Sequence, residues 1–381
     1  MRAPEDELGE LRGRDLYREI SNVVTSAQGA RVEVDGRELV NFSSNDYLGL
    51  AGSGYLKGIF VEAVGRYGVG SGASRLVCGT QLPHRDVEEA VAAYLGKSRS
   101  LVFATGFAAA AGVLGAVVGK GDVVILDKLC HASLVDGARA SGATMRVFPH
   151  GKLAKLESHL RWADGKVGAD GRILVVTEAV FSMDGDRAPL AEIVELKDRF
   201  GAWLLLDEAH AFGIIGPGGR GLAHDLGLAE RVELHMGTLG KAAGVAGGFV
   251  ATTSAIADLL VNRARSFIYS TAPPAAQAAT AAAAVRLLGT AEGDAMRERL
   301  WENIGEFSPG ASSAIVPWQL GEEAAAMRMA AELREHGYLI PAIRYPTVPR
   351  GEARLRITLS AAHQIGEVRE LARVLCSLRG S

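Results

Sequence analysis

Lys241 sits in the small-residue run TLGKAAGVAGGFV, residues 238–250, between two short apolar stretches. About thirty residues earlier, AWLLLDEAHAFG ends an apolar run on a carboxylate, Asp207, with His210 three residues on. A lone lysine in a turn is usually solvated. One flanked by Gly240, Ala242 and Ala243 lies where the backbone must come close to something. A lysine able to form a Schiff base, paired with an acid able to hold a pyridinium proton, is the chemistry that pyridoxal 5′-phosphate (PLP) requires.

Other reactive side chains fall at similar places. FATGFAAAAG (103–112) reads as a strand, a Thr-Gly turn and a small-residue helix whose first N–H groups, at Gly106 and Phe107, can hold a phosphate. His131 in DKLCHASL follows an apolar run by four residues; it either packs or covers an aromatic ring. Ser182 and Asp184 in TEAVFSMDGD offer a hydroxyl and a turn.

The elements that must position these residues are seven apolar runs: 100–104, 122–127, 144–148, 172–178, 202–207, 233–238 and 247–252. Continuous apolar strands separated by helical patterns predict an α/β fold with a mostly parallel seven-stranded sheet covered on both faces. Its ligand belongs beyond the strand carboxyl ends, where the Thr105–Phe107 turn, His131, Ser182, His210 and Lys241 all fall. PHRDVEEAVAAYLGK (83–97) predicts an amphipathic helix with Val87, Val91, Tyr94 and Leu95 on one stripe. PPAAQAATAAAAVRLL (273–288) predicts a long Ala-rich helix, and an Arg-rich helix is expected over 261–265. The C-terminal third, with strands at 313–320 and 353–360, predicts a smaller α+β domain. The divisions expected are an N-terminal segment 1–45 packing with that domain, a large domain 46–285 and a small one 286–381.

Composition excludes several classes. The 381 residues carry 41 basic and 44 acidic side chains, a net charge of −3, with no basic block suited to nucleic acid or a membrane surface. Cys78, Cys130 and Cys376 are scattered, and no H-E-x-x-H or Cys/His cluster predicts a metal site. The charged N-terminus has no apolar signal region, and 106–119 is too short to span a bilayer, so the expected location is cytoplasmic. LLLDEAH resembles a helicase acidic box. The only Gly-Lys-Ser, Gly96-Lys97-Ser98, has Val91 where a phosphate loop needs glycine. In GVGSGASR, Ala73 replaces the third glycine of a dinucleotide fingerprint.

With those residues in hand, the chain resembles the α-oxoamine synthases, PLP enzymes of fold type I that join an amino acid to an acyl thioester with loss of CO2. The resemblance runs from about Leu16 to the C-terminus. It rests on NFSSNDYLGL (41–50), GSGASRLVCGT (70–80), TGF (105–107), DKLCHASL (127–134), TEAVFSMDGDRAPL (177–190), LLLDEAHAFG (204–213), GTLGKAAG (237–244), FIYSTAPPA (267–275) and PTVPRGEARLRITLSAAH (346–363). It implies that Lys241 carries the Schiff base, Asp207 pairs with the pyridine nitrogen, His131 stacks on the ring and His210 contacts its 3-oxygen. It further implies that Ser182 and Thr238 bind cofactor and that Gly106-Phe107 hold its phosphate. Thr271 would reach the phosphate of a partner subunit in a homodimer. Asn45 and Arg356 would grip the amino acid, and Arg18 and Thr347 would line the acyl-thioester side. The blocks favour the branch that condenses L-alanine with a pimeloyl thioester of coenzyme A or acyl carrier protein. Glycine with acetyl-CoA is the alternative, Arg75 and Ala243 being compatible with other branches. A catalytically idle partner subunit should lack the lysine, the aspartate or the histidine, and all three are present. Arg18, Arg344, Arg350 and Arg354 are candidates to cluster for an acidic carrier.

Overall fold

All seven apolar runs become strands of one sheet. The computed structural model describes residues 2–14, 16–20 and 22–379. Across the sheet the order is Arg99–Phe103, Gly248–Thr252, Leu234–Thr238, Trp203–Asp207, Ile173–Glu178, Val123–Asp127 and Thr144–Phe148. Gly248–Thr252 is antiparallel to both neighbours, and all other pairings are parallel. Val123–Asp127 and Ile173–Glu178 are buried at every position. Their side chains, and those of the neighbouring strand Trp203–Asp207, divide by alternation. Ile125, Val175, Leu204 and Leu206 enter one core, and Val124, Leu126, Leu174, Val176 and Leu205 enter another on the opposite face. Two apolar faces are why the sequence shows runs where a half-exposed strand would alternate.

The predicted helix before the sheet spans Leu82–Tyr94 and buries Val87, Val91 and Tyr94. Gly96 follows with φ +63°, a conformation glycine adopts without penalty. The Ala-rich helix Ala275–Leu288 packs on this helix and on Gly54–Tyr67, its small side chains allowing close approach on several sides.

The single helix expected over 261–265 is broken in the structure. Ser254–Arg263 ends, Ala264 is extended, and a short helix Arg265–Ile268 follows. The break buries Ala264 completely and lets the Ser266 hydroxyl donate to the Ala108 carbonyl at 2.5 Å. Packing against Gly106–Val117 outweighs the local helix preference.

Toward the C-terminus, Ile315–Gly321, Ala353–Thr358 and Ala342–Ile343 form an antiparallel sheet in the order 315–321, 353–358, 342–343. It is packed by Glu323–Glu335. From the N-terminal side, Arg37–Asn41 pairs antiparallel with Arg31–Val34 and parallel with Tyr338–Leu339. Among the described residues no helix is long and apolar enough to cross a membrane.

The turn after Ile173–Glu178 ties the large sheet to the C-terminal strands. Gly185 has φ +72°, and its carbonyl accepts from the Ser313 hydroxyl at 2.7 Å. A Cβ there would stand 2.1 Å from the Ile315 carbonyl oxygen. Gly185→Ala should therefore cost at least about 2 kcal/mol of unfolding free energy. Chemical denaturation measures this; an unchanged midpoint and slope would contradict the packing described.

Candidate active site

Asp207 closes its strand and faces Glu178, in register at the end of the adjacent parallel strand. Thr238 closes the next strand, while His131 and Gly106 follow two others within a few residues. These ends surround a cavity of about 200 Å³, lined among others by Gly106, Phe107, His131, Glu178, Asp207, His210, Thr238 and Lys241. A wider cleft of about 490 Å³ around Arg75 and Arg99 gathers no comparable set; Arg75 there is already paired with Glu88 at 2.8 Å.

Small residues hold the lysine turn in place. The Thr238 hydroxyl donates to the Gly247 carbonyl at 2.8 Å and accepts from the Gly240 N–H at 3.1 Å. Gly244 has φ +67°, and a Cβ on it would lie 2.5 Å from the Ala51 nitrogen. Ala242 and Ala243 are buried beneath. The turn thus leans directly on the segment 45–51.

From Lys241 a chain of polar contacts leads to the C-terminal sheet. Lys241 Nζ lies 2.8 Å from His210 Nε2, and His210 Nδ1 lies 2.5 Å from the Tyr47 hydroxyl. Tyr47 donates to Asn45 Oδ1 at 3.4 Å. Arg356 donates to Asn45 Oδ1 at 3.0 Å, to the Ser182 carbonyl at 2.5 Å and to the Thr358 hydroxyl at 3.0 Å. Burial holds the His210 imidazole well below its ordinary pKa, and nearby Lys241 and Arg356 add to this. Burial pushes the Tyr47 phenol up to about 12. One consistent proton order follows: the Lys241 ammonium donates to Nε2, the Nδ1–H donates to Tyr47, and the phenol donates to Asn45.

Lys241 is half-buried, and withdrawal of its amine from water lowers it from 10.5 to about 8, with Asp207 and Glu178 opposing. Burial raises Asp207 while Lys241 pulls it back. Arg356 is 5% exposed and its recorded acceptors are all neutral, so its charge remains available to an incoming carboxylate. Gly106–Val117 presents its N-terminus to the cavity, capped by Thr105 Oγ1 accepting from the Ala108 N–H at 3.0 Å. His131 is exposed and lines the cavity.

This donor set fits PLP. An amine free to lose its proton faces a buried carboxylate, a helix N-terminus suits a phosphate, and an exposed imidazole can cover one ring face. The described residues contain no cluster of His, Cys, Asp or Glu suited to a metal ion.

The sequence-predicted residues divide. Gly106, Phe107, His131, Asp207, His210, Thr238 and Lys241 line the cavity. Asn45 and Arg356 join it through Tyr47 and His210. Ser182 is half-buried beside them and offers its carbonyl to Arg356. Thr271 is exposed and bridges to Ser74, away from this chain's own cavity. Arg18 and Thr347 are exposed; the Thr347 N–H donates to the Arg344 carbonyl at 3.0 Å. Arg354 corrects the idea of a four-arginine surface cluster: it is 2% exposed and paired with Asp184 and Glu352. Glu178 and Tyr47 are the residues that sequence reasoning missed. Glu178 ends an apolar run just as Asp207 does, and that parallel was a readable signal.

The aminotransferase class I and II family matches residues 37–375. The chain is 46% identical to 8-amino-7-oxononanoate synthase of Herminiimonas arsenicoxydans, over 97% of each chain. It is 47% identical to that of Geobacter sulfurreducens, over 94% of this chain and 93% of the relative. Among solved structures it is similar to serine palmitoyltransferase from S. paucimobilis with bound PLP–myriocin aldimine. That likeness has TM-score 0.89 and 30% identity, over 97% of this chain and 94% of the other. It is also similar to 8-amino-7-oxononanoate synthase from Francisella tularensis, with TM-score 0.74 and 28% identity over 90% and 99%. The chain belongs to the class I and II aminotransferase family, and within it to the α-oxoamine synthases of PLP fold type I. Its cofactor is PLP.

The pH behaviour of Lys241 follows from its surroundings. A lowered amine pKa means the nucleophilic neutral form rises as pH passes through about 8. In apo-protein, modification of Lys241 by an amine-selective reagent, read by peptide mapping, should be half-maximal near pH 8. A midpoint near that of a solvated lysine, about 10.4, would show that the amine is not desolvated.

Proposed function

We propose that this chain condenses L-alanine with a pimeloyl thioester, carried on coenzyme A or acyl carrier protein, to give 8-amino-7-oxononanoate, CO2 and the free thiol carrier. The observation that carries the reading is the Lys241 amine, withdrawn from water 2.8 Å from His210 and facing Asp207. The near full-length identity to proteins named 8-amino-7-oxononanoate synthase supports the choice of product.

When bound, PLP supplies an electron sink for the amino acid's α-carbon. Lys241 would hold the cofactor, and its amine, lowered to about 8, is suited to take the amino acid's α-proton near neutral pH. Asp207 keeps the pyridine nitrogen protonated. His131 covers one ring face. His210 and Thr238 hold polar atoms of the ring side, with Ser182 beside them, and the Gly106-Phe107 amides receive the phosphate. Arg356, oriented by Asn45, would bind the alanine carboxylate. Arg18 and Thr347 line the acyl side. Thr271, turned away from its own cavity, serves the phosphate of a partner subunit, which makes the working unit a homodimer with two shared sites acting in the cytoplasm.

Substrate choice is tested by a panel of amino acids against acyl thioesters, scored by thiol release and product mass. With the pimeloyl thioester held constant, alanine should exceed glycine by about tenfold or more, within the ~1–3 kcal/mol available to a single methyl group. Faster turnover of glycine with acetyl-CoA than of alanine with the pimeloyl thioester would move the assignment to the glycine-using branch.

A further inference from the structure

Beside Asp207 stands a second carboxyl group with no task in the scheme above. Glu178 closes Ile173–Glu178 and pairs in register with Asp207 on the neighbouring parallel strand, so both side chains leave the same face of the sheet. Glu178 is 3% exposed and lines the same cavity as Asp207, His131 and Lys241. Its Oε1 accepts the backbone N–H of His131 at 2.5 Å. His131 caps the helix Ala132–Ser141, and its Nδ1 accepts from the Ser133 N–H at 3.2 Å, with the Ser133 hydroxyl 2.8 Å away. An exposed imidazole is thereby tied at its backbone and at its ring.

We propose that Glu178 is a positioning residue that pins His131 over the cavity and leaves Asp207 as the negative charge available to the cofactor's pyridine nitrogen. Parallel strands lie only about 4.8 Å apart. Two carboxylates on neighbouring strand ends, shielded from water, do not both ionise readily. The charged groups facing Glu178 are Asp207 and Asp127, which favour its protonated form, and Lys241, which opposes them. Burial drives the Glu178 carboxyl well above its ordinary range, and the Asp207 charge drives it further. Burial raises Asp207 as well, but Lys241, the Ala209 N–H at 2.9 Å and His131 pull it back, so its rise is smaller than that of Glu178. The proton therefore stays on Glu178 and the charge on Asp207. A neutral acid still accepts the His131 N–H through its carbonyl oxygen.

The inference rests on PLP occupying this cavity; cofactor binding by the wild-type chain tests that premise separately. The test compares wild type, Glu178→Gln and Glu178→Ala holoenzymes. Two readouts are taken: cofactor affinity by fluorescence titration, and the pH midpoint of the cofactor's absorbance change. Glu178→Gln keeps an oxygen for the His131 N–H and brings no charge. It should bind PLP within about threefold of wild type and hold the midpoint within about 0.3 unit. Glu178→Ala leaves that N–H without its partner and should weaken binding about tenfold or more. Were Glu178 ionised in the wild type, Glu178→Gln would remove a negative charge and lower the midpoint. A fall of about one unit or more, or a Gln variant as impaired as the Ala variant, overturns the proposal. Wild-type affinity in Glu178→Ala overturns it as well.

Discussion

Keeping an amine out of water beside acidic side chains is the constraint on which the remaining features of this site depend. An isolated buried ammonium is costly, and so is an isolated buried carboxylate. Here Lys241, Asp207 and Glu178 share one small cavity, and each limits what the others can be. Burial alone would lower Lys241 further; the Asp207 charge is the largest influence holding it to about 8. Burial alone would raise Asp207 further; Lys241 holds it down. The outcome is an amine able to lose its proton near neutral pH and a carboxylate able to keep its charge. Those are the two properties a PLP site asks of its protein.

The parallel sheet makes the arrangement possible. Strands running the same way deliver their last residues to one edge, so Glu178, Asp207 and Thr238 meet although they lie far apart in the chain. The substrate side is built differently. Arg356 comes from the antiparallel C-terminal sheet and is oriented by Asn45, 311 residues earlier in the chain. Tyr47 and His210 join that arginine to Lys241. Arg356 and Lys241 are thus supplied by two separate sheets, and the contact between the turn at Gly244 and the segment at Ala51 fixes their relative place.

Much of this was legible in the sequence because burial on both faces writes strands as continuous apolar runs. A run ending in Asp207, and a lysine among glycines and alanines, also have few other uses. What escaped was set by tertiary contacts. Glu178 reads as an ordinary polar residue after an apolar run until register places it beside Asp207. Tyr47 is one aromatic residue in a loop until the fold drives its hydroxyl against His210. Ala264 breaks a helix that local propensity favours, because its methyl group fits against the helix that starts at Gly106. Arg354 looked free for a partner because its counter-charges differ in range: Glu352 is near in sequence, but Asp184 lies 170 residues away.

The central claim is that Lys241, and no other lysine, bonds to the cofactor. Borohydride reduction of the holoenzyme followed by proteolysis and mass spectrometry tests it directly. The reduced cofactor should be found on the peptide carrying Lys241, in stoichiometric yield per chain. Label on a different lysine, or cofactor that washes away after reduction, would contradict the account.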